Sequence, residues 1–206
     1  MVDKASSEFP PNVADDITAR IARRVAGLRA TSGLSLDALA ALSGVSRSMI
    51  SLVERGESSP TAAVLEKLSA GLGVSLASLF EADAEVSDPL VRRADQPVWR
   101  DPASGYLRRN LSPPGHPSPL QIVEVEFPAG AHVALEGGPR EPALHQQIWV
   151  IEGTIELTHG ARTDRLGTGD CLAMEMAGPI VFHNPTRRAA RYIVAIAAYQ
   201  SRTARR

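Results

Sequence analysis

One short stretch of the chain, GVSRSMISLVERGE, groups Ser46, Arg47, Ser48 and Ser51. These side chains hydrogen-bond outward more readily than they pack in a core. A guanidinium can donate two parallel hydrogen bonds to O6 and N7 of guanine, and a serine hydroxyl can bond to many base edges. Leu52, in the same stretch, can pack against a thymine methyl group. The stretch therefore has the chemistry needed to read bases in the major groove of DNA.

The elements that must position these side chains follow from the apolar spacing of residues 17–80, which is helical. Ile21, Val25 and Leu28 recur at intervals of three and four residues, so they share one face of a first helix. About five short helices are predicted in this region. Glycines follow the first four of them, at Gly33, Gly44, Gly56 and Gly73.

The starts of the later helices are marked by capping residues. Ser35 and Ser46 have the type and place of N-caps for the second and third helices. The Ser59-Pro60 pair predicts the start of the fourth helix, because proline is tolerated in a first turn. Ser75 predicts the cap of a short fifth helix.

The second and third helices, over residues 35–43 and 46–55, are predicted to form a helix-turn-helix, in which two helices meet across a tight turn. The second helix of such a pair enters the major groove. It approaches the bases only if its first outer turn is short and polar, and the serines and arginine largely satisfy this condition.

The stretch LSLDALAALSGVSRSMISLVERGESSPTAAVLEKLSAGLGVSLASLF carries a resemblance that covers about 65 residues. It resembles the Xre/Cro-type helix-turn-helix of phage repressors and many bacterial regulators. The most specific portion is SRSMISLVERGESSP. The resemblance implies a lambda-repressor-like bundle of five helices that binds double-stranded DNA.

The resemblance also implies roles at matching positions. Arg47, Ser48 and Leu52 fall where the family reads bases, although the family often has glutamine or another polar residue in place of Leu52. Ser35, Ser46 and Arg55 fall where it binds phosphates. The expected DNA-binding residues, with Ser51 on the same polar face, are Ser35, Ser46, Arg47, Ser48, Ser51, Leu52 and Arg55.

Two further positions match a structural feature of the family. Arg29 and Glu54 fall where the family has a buried ion pair that ties the first helix to the recognition helix. Ser35 is expected to be a helix cap whether or not it also touches phosphate.

The composition is that of an ordinary folded protein. The 206 residues suit one or two domains, with 44% apolar and 22% charged residues. The formal net charge is −1, so bulk charge gives no support for nucleic-acid binding, although six arginines between Arg20 and Glu57 form a local excess. The single cysteine, Cys171, indicates a reducing compartment, and no targeting segment appears. We expect a cytoplasmic protein without a membrane partner.

After Val98 the pattern changes to short β-rich runs separated by glycine, proline, asparagine and aspartate, which predicts an all-β sandwich or barrel. The runs IWVIEGTIEL and LGTGDCLAMEMAGPIVFHNP resemble the cupin family, a small barrel of antiparallel strands. The fold class expected is therefore α + β with two domains, the second a cupin (double-stranded β-helix) barrel.

The predicted boundaries follow from these two patterns. Residues 15–80 form the helix-turn-helix domain and 98–200 the cupin domain, joined by a polar linker over 81–97. A disordered segment is expected over 1–14 and a frayed tail over 201–206.

Many cupins bind a metal through histidines and a carboxylate. The family spacing places the ligands at Arg140, Pro142, Gln146 and Ile180, none of which is a usual ligand. No cofactor is therefore expected. One metal route stays open, because a bulge could turn His145 inward toward His183 or Glu175.

Strand alternation predicts an apolar interior with a few polar groups. Gln146, Ile148 and Val150 face inward and His145 and Trp149 outward. Such a pocket suits a small organic molecule. The candidate ligand-binding residues are Arg140, Gln146, Glu175 and Phe182, although a closed β domain that serves only for dimerisation is the alternative.

The sequence as a whole favours a DNA-binding transcription regulator rather than an enzyme. It would bind an operator as a homodimer, and its β domain would sense a small-molecule effector. One alternative is a metal-dependent cupin enzyme with an accessory DNA-binding domain, and another is a protein-interaction adaptor.

Overall fold

The computed structural model of the protein describes residues 11–81, 88–136 and 143–199, without the side chains of residues 11–16 and Tyr199. Four α-helices form the helical part: α1 (Pro11–Thr31), α2 (Leu36–Ser43), α3 (Arg47–Glu54) and α4 (Ala62–Gly71). Two short 3-10 helices follow, at Leu76–Phe80 and Arg93–Asp95. α1 begins four residues before the predicted domain boundary at residue 15, and the predicted tail over 201–206 lies outside the described residues.

The predicted caps of the second and third helices are confirmed. Ser35 Oγ accepts a hydrogen bond from the backbone N–H of Ala38 at 3.0 Å. Ser46 Oγ accepts one from the backbone N–H of Met49 at 3.2 Å. Each hydroxyl thus satisfies one of the first-turn donors that a helix leaves without an internal partner.

The prediction of five α-helices is wrong at the fifth helix, and the fourth starts later than predicted. Ser75 does act as a cap, but the segment that it caps, Leu76–Phe80, is a 3-10 helix. This short, tight turn buries its apolar side chains in the core. α4 starts at Ala62 with Thr61 as its N-cap, so Pro60 lies before the helix.

Within the described residues, ten strands make up the β part, and the pairings between them are antiparallel. They are β1 (Val98–Arg100), β2 (Leu107–Asn110), β3 (Leu120–Phe127), β4 (His132–Leu135), β5 (Ala143–Glu152), β6 (Thr154–His159), β7 (Arg162–Gly167), β8 (Cys171–Glu175), β9 (Ile180–His183) and β10 (Ala190–Tyr199). β1 lies at an edge, directly after the predicted linker, whose residues 82–87 are outside the described residues.

The strands form two sheets. One has six strands in the order β1-β2-β3-β10-β5-β8, and the other has four in the order β4-β9-β6-β7. The sheets pack face to face, since the ring of Phe182 on β9 stacks on the ring of Tyr192 on β10, with centroids 6.1 Å apart. The predicted closure of the strands into one barrel is not confirmed.

The predicted alternation along β5 is confirmed. Gln146, Ile148 and Val150 are buried between the sheets, whereas His145 and Trp149 are exposed on the outer face. On β9, Ile180 and Phe182 are also buried. The interior of the β part is therefore built from the residues that a period of two selects.

The helical part is docked on the β part by polar contacts at the start of α4. Asp101 is only 2% exposed, and its Oδ1 accepts a hydrogen bond from the backbone N–H of Ala62 at 2.9 Å. A carboxylate at this end also complements the positive pole of the helix dipole. Further along α4, Lys67 Nζ lies 2.9 Å from Glu136 Oε2.

Aromatic rings continue this junction into the β interior. The ring of Phe80, at the end of the 3-10 helix, lies 5.6 Å from the ring of Trp99 on β1. Trp99 contacts Tyr106 at 5.7 Å, Tyr106 contacts Phe127 at 6.1 Å, and Phe127 contacts Tyr192 at 6.1 Å, all between ring centroids. Hydrophobic packing is therefore continuous from the helices to the sheets.

A bidentate ion pair holds α1 against α3. Arg29 Nε donates to Glu54 Oε1 at 2.6 Å and Arg29 Nη2 donates to Glu54 Oε2 at 2.8 Å. Arg29 Nη1 also donates to the carbonyl of Leu34 at 2.9 Å. The hydrogen bonds that Arg29 donates to Glu54 are the largest cause of the raised pKa of Arg29. The side chains are 21% and 12% exposed, so the pair is mostly shielded from water.

We predict that Glu54→Ala lowers the free energy of unfolding by about 1–3 kcal/mol, because it leaves Arg29 mostly buried without its carboxylate. Thermal denaturation followed by circular dichroism measures the change. Glu57→Ala is the matched control, because Glu57 is 54% exposed and pairs with Arg55 at the surface, so its loss should leave the free energy of unfolding nearly unchanged. Equal melting temperatures for the two variants would contradict the prediction.

Candidate DNA-binding surface and internal cavity

The turn between α2 and α3 sets their mutual geometry. The two helices bend by 113°, within the range of a helix-turn-helix. Gly44 caps α2 with a φ of 68°, in the left-handed region that glycine adopts at low cost. Val45 follows and is 7% exposed, which anchors the turn in the core. Among the described residues no single helix is long and apolar enough to cross a membrane, and α2 and α3 pass that test only as a bent pair.

Five of the seven predicted DNA-binding residues line one surface groove beside α3, with a volume of about 610 Å³. They are Arg47, Ser48, Ser51, Leu52 and Arg55, and Leu36 of α2 lines the groove with them. Because the inner face of α3 packs Ile50 and Val53 into the core, the opposite face presents these side chains outward.

The two remaining DNA-binding candidates, Ser35 and Ser46, sit at the N-termini of α2 and α3. Both are exposed, and both hydroxyls are engaged as helix caps. Two helix N-termini, each with backbone N–H groups and a positive dipole end, therefore face outward beside the groove.

The arginines of this surface are held by nearby carboxylates. Arg47 Nε lies 3.3 Å from Asp37 Oδ1, and the two side chains are 66% and 78% exposed. Arg55 donates to the Ser51 hydroxyl and, through Nη2, to Glu57 Oε2 at 2.8 Å. The hydrogen bond from Arg55 lowers the pKa of Glu57. Exposed ion pairs of this kind are weak, so both arginines can leave these carboxylates to bind another anionic or hydrogen-bonding group.

An internal cavity of about 50 Å³ lies in the β part, at its junction with the helices. Most of its wall is apolar and comes from both sheets, and Glu66 of α4 and Leu76 of the 3-10 helix complete it. The cavity is therefore in direct contact with the helical part of the molecule.

Arg108 of β2 is a buried cation in the wall of this cavity. It is 6% exposed, and its guanidinium carbon lies 5.5 Å above the centroid of the Phe80 ring. Burial lowers the pKa of Arg108 from its ordinary value, and the nearby Tyr106 and Glu66 act in the opposite direction. An arginine keeps its charge despite such a shift, because its ordinary pKa is so high.

The structure separates the four predicted ligand-binding residues. Gln146 and Phe182 both line the cavity. Glu175 does not: it is exposed on β8, paired in register with His145 on the outer face, so it is misplaced in the predicted set. Arg140 lies outside the described residues. Ligand binding by Gln146 and Phe182 stays a prediction.

The open metal route is not supported by the strand geometry. His145 keeps the regular register of β5 with β8 and is exposed, so no bulge turns it inward. His183 instead pairs with Glu156, with Nδ1 3.3 Å from Oε2. Within residues 11–81, 88–136 and 143–199, no group of three or more histidine, cysteine, aspartate and glutamate side chains is placed to hold a metal ion.

Sequence reasoning missed the main polar residues of the cavity, Arg108 and Glu66. Alternation in the strand YLRRN could have placed Tyr106 and Arg108 on one face, but it does not say that this face is buried. Glu66 is 1% exposed. The sequence around it predicts a helix, but it does not predict that this side of the helix is covered by the β part.

Comparison with known proteins agrees with the geometry of the helical part. Residues 26–79 match the family model HTH_3, described as "Helix-turn-helix". Residues 26–79 thus match a helix-turn-helix domain in sequence as well as in geometry. The chain is also similar to a crystal structure of an HTH_3 family transcriptional regulator from Vibrio cholerae, with 26% identity, a TM-score of 0.72, and coverage of 90% of this chain and 99% of that one.

Two similar proteins from Escherichia coli (strain K12) carry regulator names. The HTH-type transcriptional regulator SutR is 29% identical over 143 residues, which cover 69% of this chain and 75% of SutR. The HTH-type transcriptional regulator PuuR is 28% identical over 175 residues, which cover 84% of this chain and 92% of PuuR. Both similarities extend beyond the helix-turn-helix, and they support a DNA-binding regulator as the class of protein.

We predict that Gln146→Leu leaves the free energy of unfolding unchanged or raises it. Within the described residues, Gln146 Nε2 has no hydrogen-bond partner, and a buried donor in that state costs about 1–3 kcal/mol that leucine avoids. Denaturant unfolding measures the change. Ile148→Ala, two residues along the same buried face, is the contrasting control and should cost about 2–5 kcal/mol. A similar loss in both variants would contradict the prediction.

Proposed function

We propose that the protein is a cytoplasmic transcription regulator that binds operator DNA as a homodimer through its helix-turn-helix. One observation carries the proposal: the outer face of α3 presents an arginine, two serines and a leucine in an open groove beside two helix N-termini. This combination matches what a recognition helix needs, namely short donors for base edges and positive poles for phosphates.

Each side chain has a role that its position supports. Arg47 and Ser48, in the first turn of α3, would read base edges, and Leu52, one turn later, would contact a thymine methyl group. Ser35 and Ser46 would bring their helix N-termini to phosphates, and Arg55 would bind another phosphate. The polar Ser51 completes this face.

A homodimer follows from the size of the reading surface. One eight-residue helix contacts too few base pairs for tight and specific binding. Two copies on successive turns of the duplex would double the contacts and require a nearly symmetric operator. A dimer mass in light scattering, and two-fold symmetry in the selected operators, would support this part of the proposal.

The β part is proposed to be a cupin domain that senses a small-molecule effector and holds the two DNA-binding parts together. The internal cavity, partly walled by α4, supports this assignment. Effector binding would change DNA affinity only if it favours one arrangement of the dimer over another.

The proposed function is tested by selecting the DNA fragments that the purified protein binds from the genome of its own organism. We expect a small set of fragments that share one symmetric motif. Sequence-independent binding, or no binding at low salt, would contradict the proposal. Elemental analysis of the same preparation addresses the enzyme alternative, since stoichiometric iron, zinc or manganese would favour it.

We predict that Arg47→Ala weakens binding to the selected operator about tenfold or more and relaxes the base preference at one position per half-site. The melting temperature should not change, because the side chain is 66% exposed. Competition binding with every single-base variant of the operator measures both effects. Arg165→Ala, which removes a 65% exposed arginine from β7, is the matched control. An unaltered base preference in the Arg47 variant would count against the assignment.

We predict a different signature for Arg55→Ala, because a phosphate contact carries no sequence information. Binding to all DNA sequences should weaken by a similar factor, and the slope of log affinity against log salt should fall by about one. Arg162→Ala, at a 75% exposed position on β7, controls for the loss of one positive charge. A selective loss at one base would instead make Arg55 a base-reading residue.

A further inference from the structure

The cavity of the β part contains hydrogen-bond donors that the protein does not use. Among the described residues, Arg108 Nε, Arg108 Nη2 and Gln146 Nε2 are buried without a hydrogen-bond partner. The two residues are 6% and 5% exposed. Buried donors almost always have a partner, because a donor that is removed from water and left without one destabilises the folded protein. Three in one cavity are therefore typical of a binding site.

The identity of the free guanidinium atoms indicates the shape of the ligand. Nε and Nη2 form one edge of the guanidinium plane, and this edge donates two parallel hydrogen bonds to the two oxygens of a carboxylate. The amide Nε2 of Gln146 adds a third donor in the same cavity. Tyr106 and Tyr192 also line it, and burial raises the pKa of both, so their hydroxyls stay protonated and can donate as well.

The volume limits the size of the ligand. A cavity of about 50 Å³ compares with the ~10–15 Å³ that one water molecule needs by the same kind of measure. It therefore holds a few non-hydrogen atoms, as many as a small carboxylic acid has. The apolar walls also strengthen the attraction between a buried cation and an anion.

We propose that this cavity is a site for a small carboxylate anion, anchored by Arg108 and Gln146, and that the bound anion acts on the DNA-binding domain through Glu66. The first half of this proposal stands on the cavity alone. The second half rests on the proposed function, since it concerns the affinity for DNA.

Glu66 is suited to carry the effect because it belongs to α4 and shares the cavity wall with Arg108. Glu66 counteracts the lowering of the Arg108 pKa that burial causes. A second anion beside Arg108 competes with Glu66 for the same positive charge and repels it. Since α4 packs on α2, a shift of Glu66 reaches the helix-turn-helix through one helix.

The first experiment measures binding of sodium acetate to the full chain by calorimetry and by thermal shift, without DNA. Acetate should bind saturably and raise the melting temperature more than sodium chloride at the same ionic strength. Acetamide, which has a similar size and no charge, should not bind. Equal effects of acetate, acetamide and chloride would overturn the proposal. Inorganic phosphate that binds more tightly than acetate would overturn the carboxylate assignment.

Variants of the cavity residues separate a loss of acetate binding from a loss of folding. Gln146→Leu, which is predicted to keep its stability, should weaken acetate binding about tenfold. Arg108→Met should abolish acetate binding. Arg109→Met is the matched control, since Arg109 is the next residue on β2 and pairs with Glu124, with Nε 3.5 Å from Oε2, rather than lining the cavity. Unchanged acetate affinity in Gln146→Leu would overturn the site even if Arg108→Met failed to fold.

The second experiment measures operator affinity with acetate or with chloride at equal ionic strength. Acetate should change the affinity of the wild-type protein several-fold, and Glu66→Gln should bind acetate yet lose most of this change. Acetate binding without any change in operator affinity would overturn the role of Glu66 and leave the DNA-binding proposal standing. Acetate binding by a protein that binds no DNA would instead contradict the proposed function and leave the anion site standing.

Discussion

A single buried guanidinium determines much of how the two halves of this protein meet. Arg108 lies in the short strand β2, and its guanidinium group lies over the ring of Phe80. It lines the same cavity as Glu66 of α4. A charge removed from water is tolerated only where other groups compensate for its lost hydration. Here those groups come from both the helices and the sheets. Arg108 thus has its full set of neighbours only when the helical part is docked in its observed position.

The remaining contacts of the junction also hold the helical part against the β part. Asp101 of the β part accepts a hydrogen bond from the backbone N–H of Ala62 at the start of α4, and Asn110 Nδ2 donates to the carbonyl of Ala77 at 3.3 Å. The bidentate pair between Arg29 and Glu54 then transmits the position of α1 to α3. A continuous series of packed and hydrogen-bonded elements therefore connects α3 to the cavity.

Local patterns predicted the parts of this structure that depend on local physics. Ser35 and Ser46 cap their helices because capping is decided within three residues, and Gln146 faces inward because strand alternation has a fixed period. The 3-10 geometry of Leu76–Phe80 was missed, since the same apolar spacing fits either helix type over five residues. Glu175 was misplaced and Arg108 overlooked because the sequence does not say which face of β8 or β2 is covered. Such burial is set by tertiary packing between distant segments.

The placement of the two tryptophans gives the molecule an optical property. Trp99 is 5% exposed at the junction, in contact with Phe80, whereas Trp149 is 51% exposed on the outer face of the larger sheet. Their indole rings therefore sit in an apolar and an aqueous environment, respectively, which separates the wavelengths at which they emit. If the helices undocked, Trp99 would become exposed to water, whereas the environment of Trp149 would not change. The chain thus carries a natural fluorophore that reports on the junction and a second one that serves as its internal reference.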